Sequence, residues 1–168
     1  MQGVKKRIWV PILSVILAAA AALLLCLPLL PSVLTVRSRD GRLLWFSRAA
    51  GDGFTVSFTH SANKGQITEN YRFLTNGGFV LETGTFESYG AGMLDQLPEG
   101  VTMQDEGDRL QVTFPPAPME ELSMIPGEIA DHTLSGAGYS LSLAKLSAYS
   151  GIVIRYGSAS VLELLLAS

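Results

Sequence analysis

Short runs of alternating apolar and polar residues, separated by turn residues, dominate the chain from about position 35 onward. This alternation has the two-residue period of a β-strand with one buried face. Between two such runs stands Asp40-Gly41, a pair typical of a hairpin turn. Many short strands with closely spaced turns predict an all-β domain, either an antiparallel β-sandwich or a partly open barrel of about eight or nine strands.

An apolar run of a different kind begins the chain. Lys5, Lys6 and Arg7 precede Ile8–Leu30, which contains no charged residue. A helix needs roughly 20 apolar residues to cross a bilayer, so this run is long enough. We predict a cytoplasmic basic tail over residues 1–7, a transmembrane anchor or uncleaved signal over residues 8–34, and an extracytoplasmic β domain over residues 35–168.

Two other interpretations of this run compete with the anchor. A cleavable signal peptide is one, but cleavage after the small residues Ala18–Ala22 would leave an apolar new terminus. A lipoprotein is the other, but it would need a small residue before Cys26, where Leu25 stands. Basic residues flank both ends of the run, so its orientation rests on the basic start that is typical of an export signal. We therefore predict a single-pass protein of the inner membrane.

Charge and cysteine content narrow the classes of partner. The chain carries 15 acidic and 12 basic residues, and all the acidic ones follow the apolar run together with all but three of the basic ones. The predicted β domain therefore has a net charge of −6, which argues against nucleic acid as a partner. Cys26 is the only cysteine, so the domain has neither a disulfide nor a thiolate metal site. We predict no cofactor.

Two ionisable residues occupy apolar rows of neighbouring predicted strands. His60 continues the apolar face of one strand, and Glu69 lies on the apolar face of the next. Pairing Phe58 with Tyr71 in a hairpin places His60 directly opposite Glu69, with their Cβ atoms roughly 4.5–5.5 Å apart. We therefore predict that this pair faces each other at the end of the core, beside the loop Ser61–Thr68.

Four roles are open for this pair. It can be a structural contact in which the imidazole satisfies a half-buried carboxylate, which is the interpretation we favour. It can bind a partner or a small anion at the rim. It can hold a metal, with His132 as a second imidazole. Catalysis with Ser61 is the fourth role, but neighbours on a strand point to opposite faces, which is poor geometry for a Ser–His dyad. We predict neither catalytic nor metal-ligating residues.

A second conspicuous stretch contains the glycines of Gly90-Ala91-Gly92. It is a weak match to a dinucleotide-binding turn, because no third glycine and no helical pattern follow it. Glycine here is better explained by a close backbone approach or a positive φ. Together with the residues above, this stretch completes the predicted partner- or ligand-binding set: His60, Ser61, Glu69, Tyr71, Glu87, Tyr89, Gly90, Ala91 and Gly92.

The segments "FTHSANKGQITENYRF" and "FESYGAG" resemble a bacterial family named domain of unknown function eighteen-fifty. The shared features are the pair His60-Ser61, Glu69 ahead of Tyr71, and the later Phe86–Gly92. The segment "DHTLSGAGYSLSLAKL" also looks like a later strand pair of that family. The resemblance spans roughly residues 34–156.

The resemblance implies a transport setting. Members of the family look like small membrane-anchored or exported domains encoded beside TAXI-type TRAP transporters, and sometimes fused to the permease. Those transporters import organic acids with a soluble binding protein. The resemblance brings no catalytic residue with it. We expect a non-enzymatic accessory subunit whose partner is the permease or its substrate-binding protein. A free-standing small-ligand binding or sensor module is the alternative, and a membrane-anchored hydrolase comes third.

Overall fold

The computed structural model describes residues 3–61, 64–87, 97–147 and 150–166, with side chains from residue 10 onward. The chain divides into two compact units, one made of Met1–Pro31 and Ser158–Ser168 and the other of Ser32–Gly157. The elements in chain order are α1 (Gly3–Cys26), β1 (Leu30–Ser38), β2 (Leu43–Arg48), β3 (Gly53–Thr59), β4 (Gln66–Phe73), β5 (Phe79–Phe86), β6 (Thr102–Asp105), β7 (Leu110–Thr113), β8 (Glu121–Met124), β9 (Thr133–Gly136), β10 (Tyr139–Ser142), α2 (Leu143–Ser147), β11 (Ile152–Ala159) and α3 (Val161–Leu165).

In the first unit, α1 exposes large apolar side chains, among them Val10, Leu13, Ile16 and Leu17. Pro11 lies inside this helix, and the hydroxyl of Ser14 donates to the Pro11 carbonyl at 2.8 Å. Across the described residues, no helix has both the length and the apolar character that crossing a membrane requires. The predicted anchor therefore stays a prediction.

In the second unit, four strands form the smaller sheet in the order β2-β1-β11-β8. The predicted hairpin turn joins its first two strands. Gly41 adopts φ 89°, and its N–H donates to the carbonyl of Ser38 at 2.9 Å. The prediction of a turn at Asp40-Gly41 is therefore confirmed.

Seven strands form the larger sheet, in the order β10-β9-β3-β4-β5-β7-β6. The described pairings in both sheets are antiparallel. Between β4 and β5, Gly77 and Gly78 have positive φ values of 93° and 73°. Residues with side chains rarely adopt such values, so glycine is required at this turn.

One hydrophobic core joins the two sheets. Buried side chains from β1 and β11 pack against the larger sheet and α2, and two aromatic pairs also link the sheets. Phe73 stacks on Tyr156 with ring centroids 4.0 Å apart, and Trp45 contacts Tyr139 at 5.1 Å. This packing gives a two-layer arrangement, as predicted for a sandwich, and the sheets do not join into a closed barrel. The core residues are Leu34, Val36, Phe54, Val56, Tyr71, Phe79, Leu134, Leu143, Ile152 and Ile154.

Two details differ from the sequence prediction. The described residues contain eleven strands rather than eight or nine, and five of them, β6 to β10, are only four residues long, so each offers few alternating positions. The final apolar run forms the short helix α3, whereas the sequence predicts an all-β domain. Ser160 caps this helix, since its hydroxyl accepts the N–H of Glu163 at 3.1 Å.

Candidate functional site

The hairpin of β3 and β4 forms as predicted, but its register differs by four residues. Phe54, not Phe58, is the partner of Tyr71, and Glu69 lies opposite Val56. His60 follows the end of β3, roughly 13 Å along the strand from the residue opposite Glu69. The prediction that His60 faces Glu69 is therefore wrong. The faces were assigned correctly, because a shift of four residues preserves the two-residue alternation.

The partner of Glu69 is Tyr71, two residues along the same face of β4. The phenolic hydroxyl donates to Glu69 Oε2 at 2.6 Å. Only 5% of Tyr71 is exposed, and its ring stacks on Phe54 with centroids 4.8 Å apart. Burial raises the pKa of Tyr71 well above its usual range, and the hydrogen bond to Glu69 and its negative charge add to the effect. The hydroxyl therefore stays protonated and acts as a donor.

His132 lies near this carboxylate. Its imidazole stacks on Phe58 with ring centroids 4.9 Å apart. Its Nδ1 atom is buried and makes no hydrogen bond of ordinary geometry within the described part of the chain. Burial lowers the pKa of His132 below 6.5, while the charge of Glu69 and then the carbonyl of Gly127 act in the opposite direction. A neutral imidazole, a phenol and a carboxylate thus share one region of the core face.

A pocket of about 490 Å³ opens next to Tyr71. Strands β5, β6 and β7 supply Leu81, Phe86, Met103 and Val112, β4 supplies Tyr71, and loops supply the rest of its described wall. The smaller sheet has four strands against seven in the larger, and none of the described lining residues belongs to the smaller sheet. The full described lining is Tyr71, Leu81, Phe86, Leu97, Pro98, Glu99, Val101, Met103, Val112, Phe114, Pro115, Ala117 and Met119.

Gly84 makes room for the aromatic part of this lining. It lies opposite Glu69 on β5, and a Cβ atom here would come within 3.2 Å of the Phe86 ring and 3.4 Å of the Phe114 ring. Glu99 is the ionisable carboxylate among the described lining residues, and Tyr71 brings the phenol. A largely apolar cavity with a few polar groups is the usual form of a binding site.

Three of the predicted site residues lie elsewhere, at one end of the larger sheet. His60 and Ser61 begin the loop after β3, where the N–H of His60 donates to the carbonyl of Gly65 at 2.8 Å. Glu87 follows β5, and its N–H donates to the carbonyl of Gln66 at 3.0 Å. Glu69 and Tyr71 lie farther along the sheet. The remaining predicted residues, Tyr89, Gly90, Ala91 and Gly92, lie outside the described residues.

The open metal hypothesis finds no support in the described ranges, which contain no group of three or more His, Cys, Asp or Glu side chains placed to hold an ion. From the sequence, His132 is only a possible second imidazole for a metal. His132 lies near Glu69 because of long-range packing, which no sequence pattern indicates. The sequence does not predict the pocket wall for the same reason. Within 97–119 only the run "RLQVTF" alternates, and alternation does not show how the loops on either side return to the sheet.

A family model described as domain of unknown function (DUF1850) matches residues 54–143. The chain belongs to this family. No curated protein and no solved structure matches the chain. The matched DUF1850 region begins at Phe54 in β3 and ends at Leu143 in α2. It therefore includes Glu69, Tyr71, His132 and the described lining of the pocket.

Proposed function

We propose that the protein is a membrane-anchored, extracytoplasmic accessory subunit of a TAXI-type TRAP transporter for organic acids, and that it acts by binding rather than by catalysis. Membership of the DUF1850 family supports this setting, because the resemblance to that family implies domains encoded beside or fused to such permeases. The partner is the permease or its substrate-binding protein.

The observation that carries the binding role is the pocket beside Tyr71. Its volume of about 490 Å³ and its apolar wall suit an inserted apolar group. Most of the described wall comes from two loops and the last strands of the larger sheet, and none of it comes from the smaller sheet. An apolar side chain of a partner placed there would lose its contact with water, which is the main source of affinity in such contacts.

The first unit supports the location. Exposed apolar side chains point in every direction around α1, because successive residues are rotated by about 100° in a helix. Five that are spread around its circumference are Val10, Ile12, Leu13, Val15 and Leu25. A helix that is apolar on every side is typical of one buried within protein or lipid. We infer that this helix holds the chain at the membrane, with the basic residues before it in the cytoplasm.

Affinity purification from native membranes tests the accessory role. The tag follows Ser168, and the wild type is compared with Ala117→Trp and Ala137→Trp. Ala117 is exposed and lines the pocket, whereas Ala137 is exposed in the β9–β10 turn. An indole at 117 fills the pocket, while one at 137 adds the same bulk elsewhere.

We expect the permease or its binding protein to be recovered with the wild type and with Ala137→Trp, and to be lost with Ala117→Trp. If the protein is purified alone in all three cases and transport survives its deletion, the accessory role is wrong.

The second candidate is a free-standing module for a small ligand, and the size of the pocket favours it. A volume of about 490 Å³ lies within the range of small-molecule sites, roughly 300–1,000 Å³. Native mass spectrometry of the full chain separates the two candidates. A small molecule that is retained by Ala137→Trp and lost from Ala117→Trp would support the ligand module.

A further inference from the structure

We propose that β6 and the pocket beside it form a docking site for an extended basic peptide segment of a partner protein, which adds to the larger sheet as a further strand. This inference rests on the proposed binding function and names the chemistry of the partner. Strand addition uses main-chain hydrogen bonds for affinity and side-chain pockets for specificity.

The first observation is the edge of β6, which carries no further strand among the residues that the structure describes. This strand ends the order of the larger sheet, and all of its residues are exposed. The N–H of Glu106 donates to the carbonyl of Arg109 at 2.9 Å, which makes this pair a hydrogen-bonded one. Because bonded and non-bonded pairs alternate along an antiparallel ladder, Gln104 also bonds to β7. The main-chain groups of Met103 and Asp105 then point away from β7, toward the open edge.

The second observation is that this edge borders the pocket. The side chain of Met103 is part of the pocket wall. In a strand added beside β6, alternate side chains would lie on the same face as Met103 and reach the pocket. Strands β2, β8 and β10 also end a sheet, and none of them contributes a described residue to this pocket. The combination of free edge and apolar pocket thus selects β6.

The third observation is the charge around this edge. Glu99 lines the pocket, and Asp105, Glu106 and Asp108 belong to the β6–β7 hairpin. Arg109 is the basic residue of that hairpin, and it is within 3.9 Å of Glu106 and 3.5 Å of Asp108. Four acidic groups against one basic group leave the edge negative. A peptide with lysine or arginine beside its apolar residues complements this charge.

The probe is the acetylated and amidated heptapeptide Lys-Thr-Leu-Thr-Leu-Thr-Lys, which places both leucines on one face of a strand. Its binding is measured on the full chain in nanodiscs of zwitterionic lipid. Asp105→Pro removes the outward N–H, and Asp105→Ala is the matched control, because it removes the same carboxylate and keeps that N–H. Proline is compatible with an edge position whose N–H is not bonded within the sheet.

We expect the peptide to bind the wild type and Asp105→Ala, and to bind Asp105→Pro about tenfold or more weakly, because a hydrogen bond is lost and the ring obstructs the edge. Bound peptide should slow hydrogen exchange at the amides of Met103 and Asp105. Two peptides N-methylated at the two alternate sets of residues should differ, since only the set whose N–H groups face β6 is needed for binding. A peptide with glutamate in place of lysine should bind more weakly.

Absence of peptide binding, equal binding to Asp105→Pro, or binding without protection of the Met103 amide would overturn strand addition. The co-purification described above separates this failure from failure of the proposed function. Loss of the transporter partner from Ala117→Trp but not from Asp105→Pro would refute strand addition and leave the binding function standing. Loss from neither variant would refute the role of the pocket itself.

Discussion

The hydrogen bond between Tyr71 and Glu69 sets the environment of a half-buried carboxylate. A polar group removed from water costs stability unless a partner replaces the water. Here a buried phenol supplies that partner at 2.6 Å. The aromatic ring is held in place by Phe54 and by an edge contact with Phe79, with ring centroids 5.6 Å apart. The donor is therefore positioned by core packing rather than by a flexible surface side chain.

Tyr71→Phe keeps this packing and removes the donor. We expect the free energy of unfolding to fall by about 1–3 kcal/mol, the usual cost of leaving a buried polar group without its hydrogen bond. Denaturant unfolding of the full chain measures it. Tyr156→Phe is the matched control, because its ring stacks on Phe73 and keeps that contact. Equal losses in the two variants would show that the bond to Glu69 contributes nothing.

His132 makes stability depend on pH. Its pKa in the folded protein lies below the ordinary 6.5, chiefly because of burial. The unfolded chain therefore takes up the proton at a higher pH than the folded one. The contribution of His132 to stability is fully present above about pH 6.5 and decreases as the pH falls through the interval toward the folded pKa. His132→Phe, which keeps a ring stacked on Phe58, should remove this component from the pH profile of unfolding.

A direct measurement is an NMR titration of the His132 imidazole. We expect a midpoint below 6.5, and Glu69→Gln should lower it further, because the carboxylate favours the protonated imidazole. A midpoint above 6.5, or a rise with Glu69→Gln, would contradict this account of the electrostatics.

At the scale of elements, the β3–β4 hairpin shows what alternation can and cannot determine. Alternation correctly placed Glu69 and Tyr71 on the apolar face. It could not select the register, because shifts by an even number of residues keep every side chain on its face. The structure selects the register that stacks Phe54 on Tyr71 and begins β4 at Gln66, inside the predicted loop Ser61–Thr68.

Turn chemistry was more informative than strand pattern. Asp40-Gly41 was sufficient to predict the first hairpin, since few other pairs suit such a turn. The motif Ser160-x-x-Glu163 is a helix-capping signal. It overlaps the apolar run that starts at Val161, and such a run is equally compatible with a buried strand. The pocket had no such signal. Its wall depends on how loops return to the sheet, which is a property of tertiary packing.

Gly53 tests the packing at the start of β3. A Cβ atom there would overlap the backbone carbonyl oxygen of Tyr71, whereas one at Gly127 would meet nothing within 4 Å. We expect Gly53→Ala to lower the free energy of unfolding by at least about 2 kcal/mol, since backbone must move to admit the methyl group. Gly127→Ala should change it by less than about 0.5 kcal/mol. Thermal unfolding of both variants measures these changes. Similar losses of stability in the two variants would show that the backbone at Gly53 admits a methyl group without loss of stability.

At the scale of the molecule, the fold concentrates its stability in one unit. The core residues named above all lie between Leu34 and Ile154, within the unit Ser32–Gly157. The chain has no disulfide available to it, since Cys26 is its only cysteine. Stability must then come from the packing of the two sheets.

A polypeptide of residues 32–157 should therefore fold by itself. We expect a β-rich circular dichroism spectrum and a single cooperative thermal transition, because the core cluster and the strand register from Val33 to Arg155 are all included. A helix-dominated spectrum, or a gradual loss of signal without a transition, would show that the remaining segments are needed for the fold.

The apolar run of the predicted membrane anchor, Ile8–Leu30, lies in the other unit, which contains Met1–Pro31. If this run anchors the chain, the full chain should remain in the membrane pellet after alkaline carbonate extraction. Residues 32–157 alone, exported behind a cleavable signal, should instead be recovered in the soluble extracytoplasmic fraction. Replacing Leu13 and Leu17 by lysine should release the full chain, because each charge opposes insertion by roughly 2.5–3.5 kcal/mol. Replacing both by valine keeps the run apolar and is the matched control. The anchor is wrong if carbonate extracts the wild-type chain, or if mass spectrometry of the purified protein shows that the apolar run has been removed.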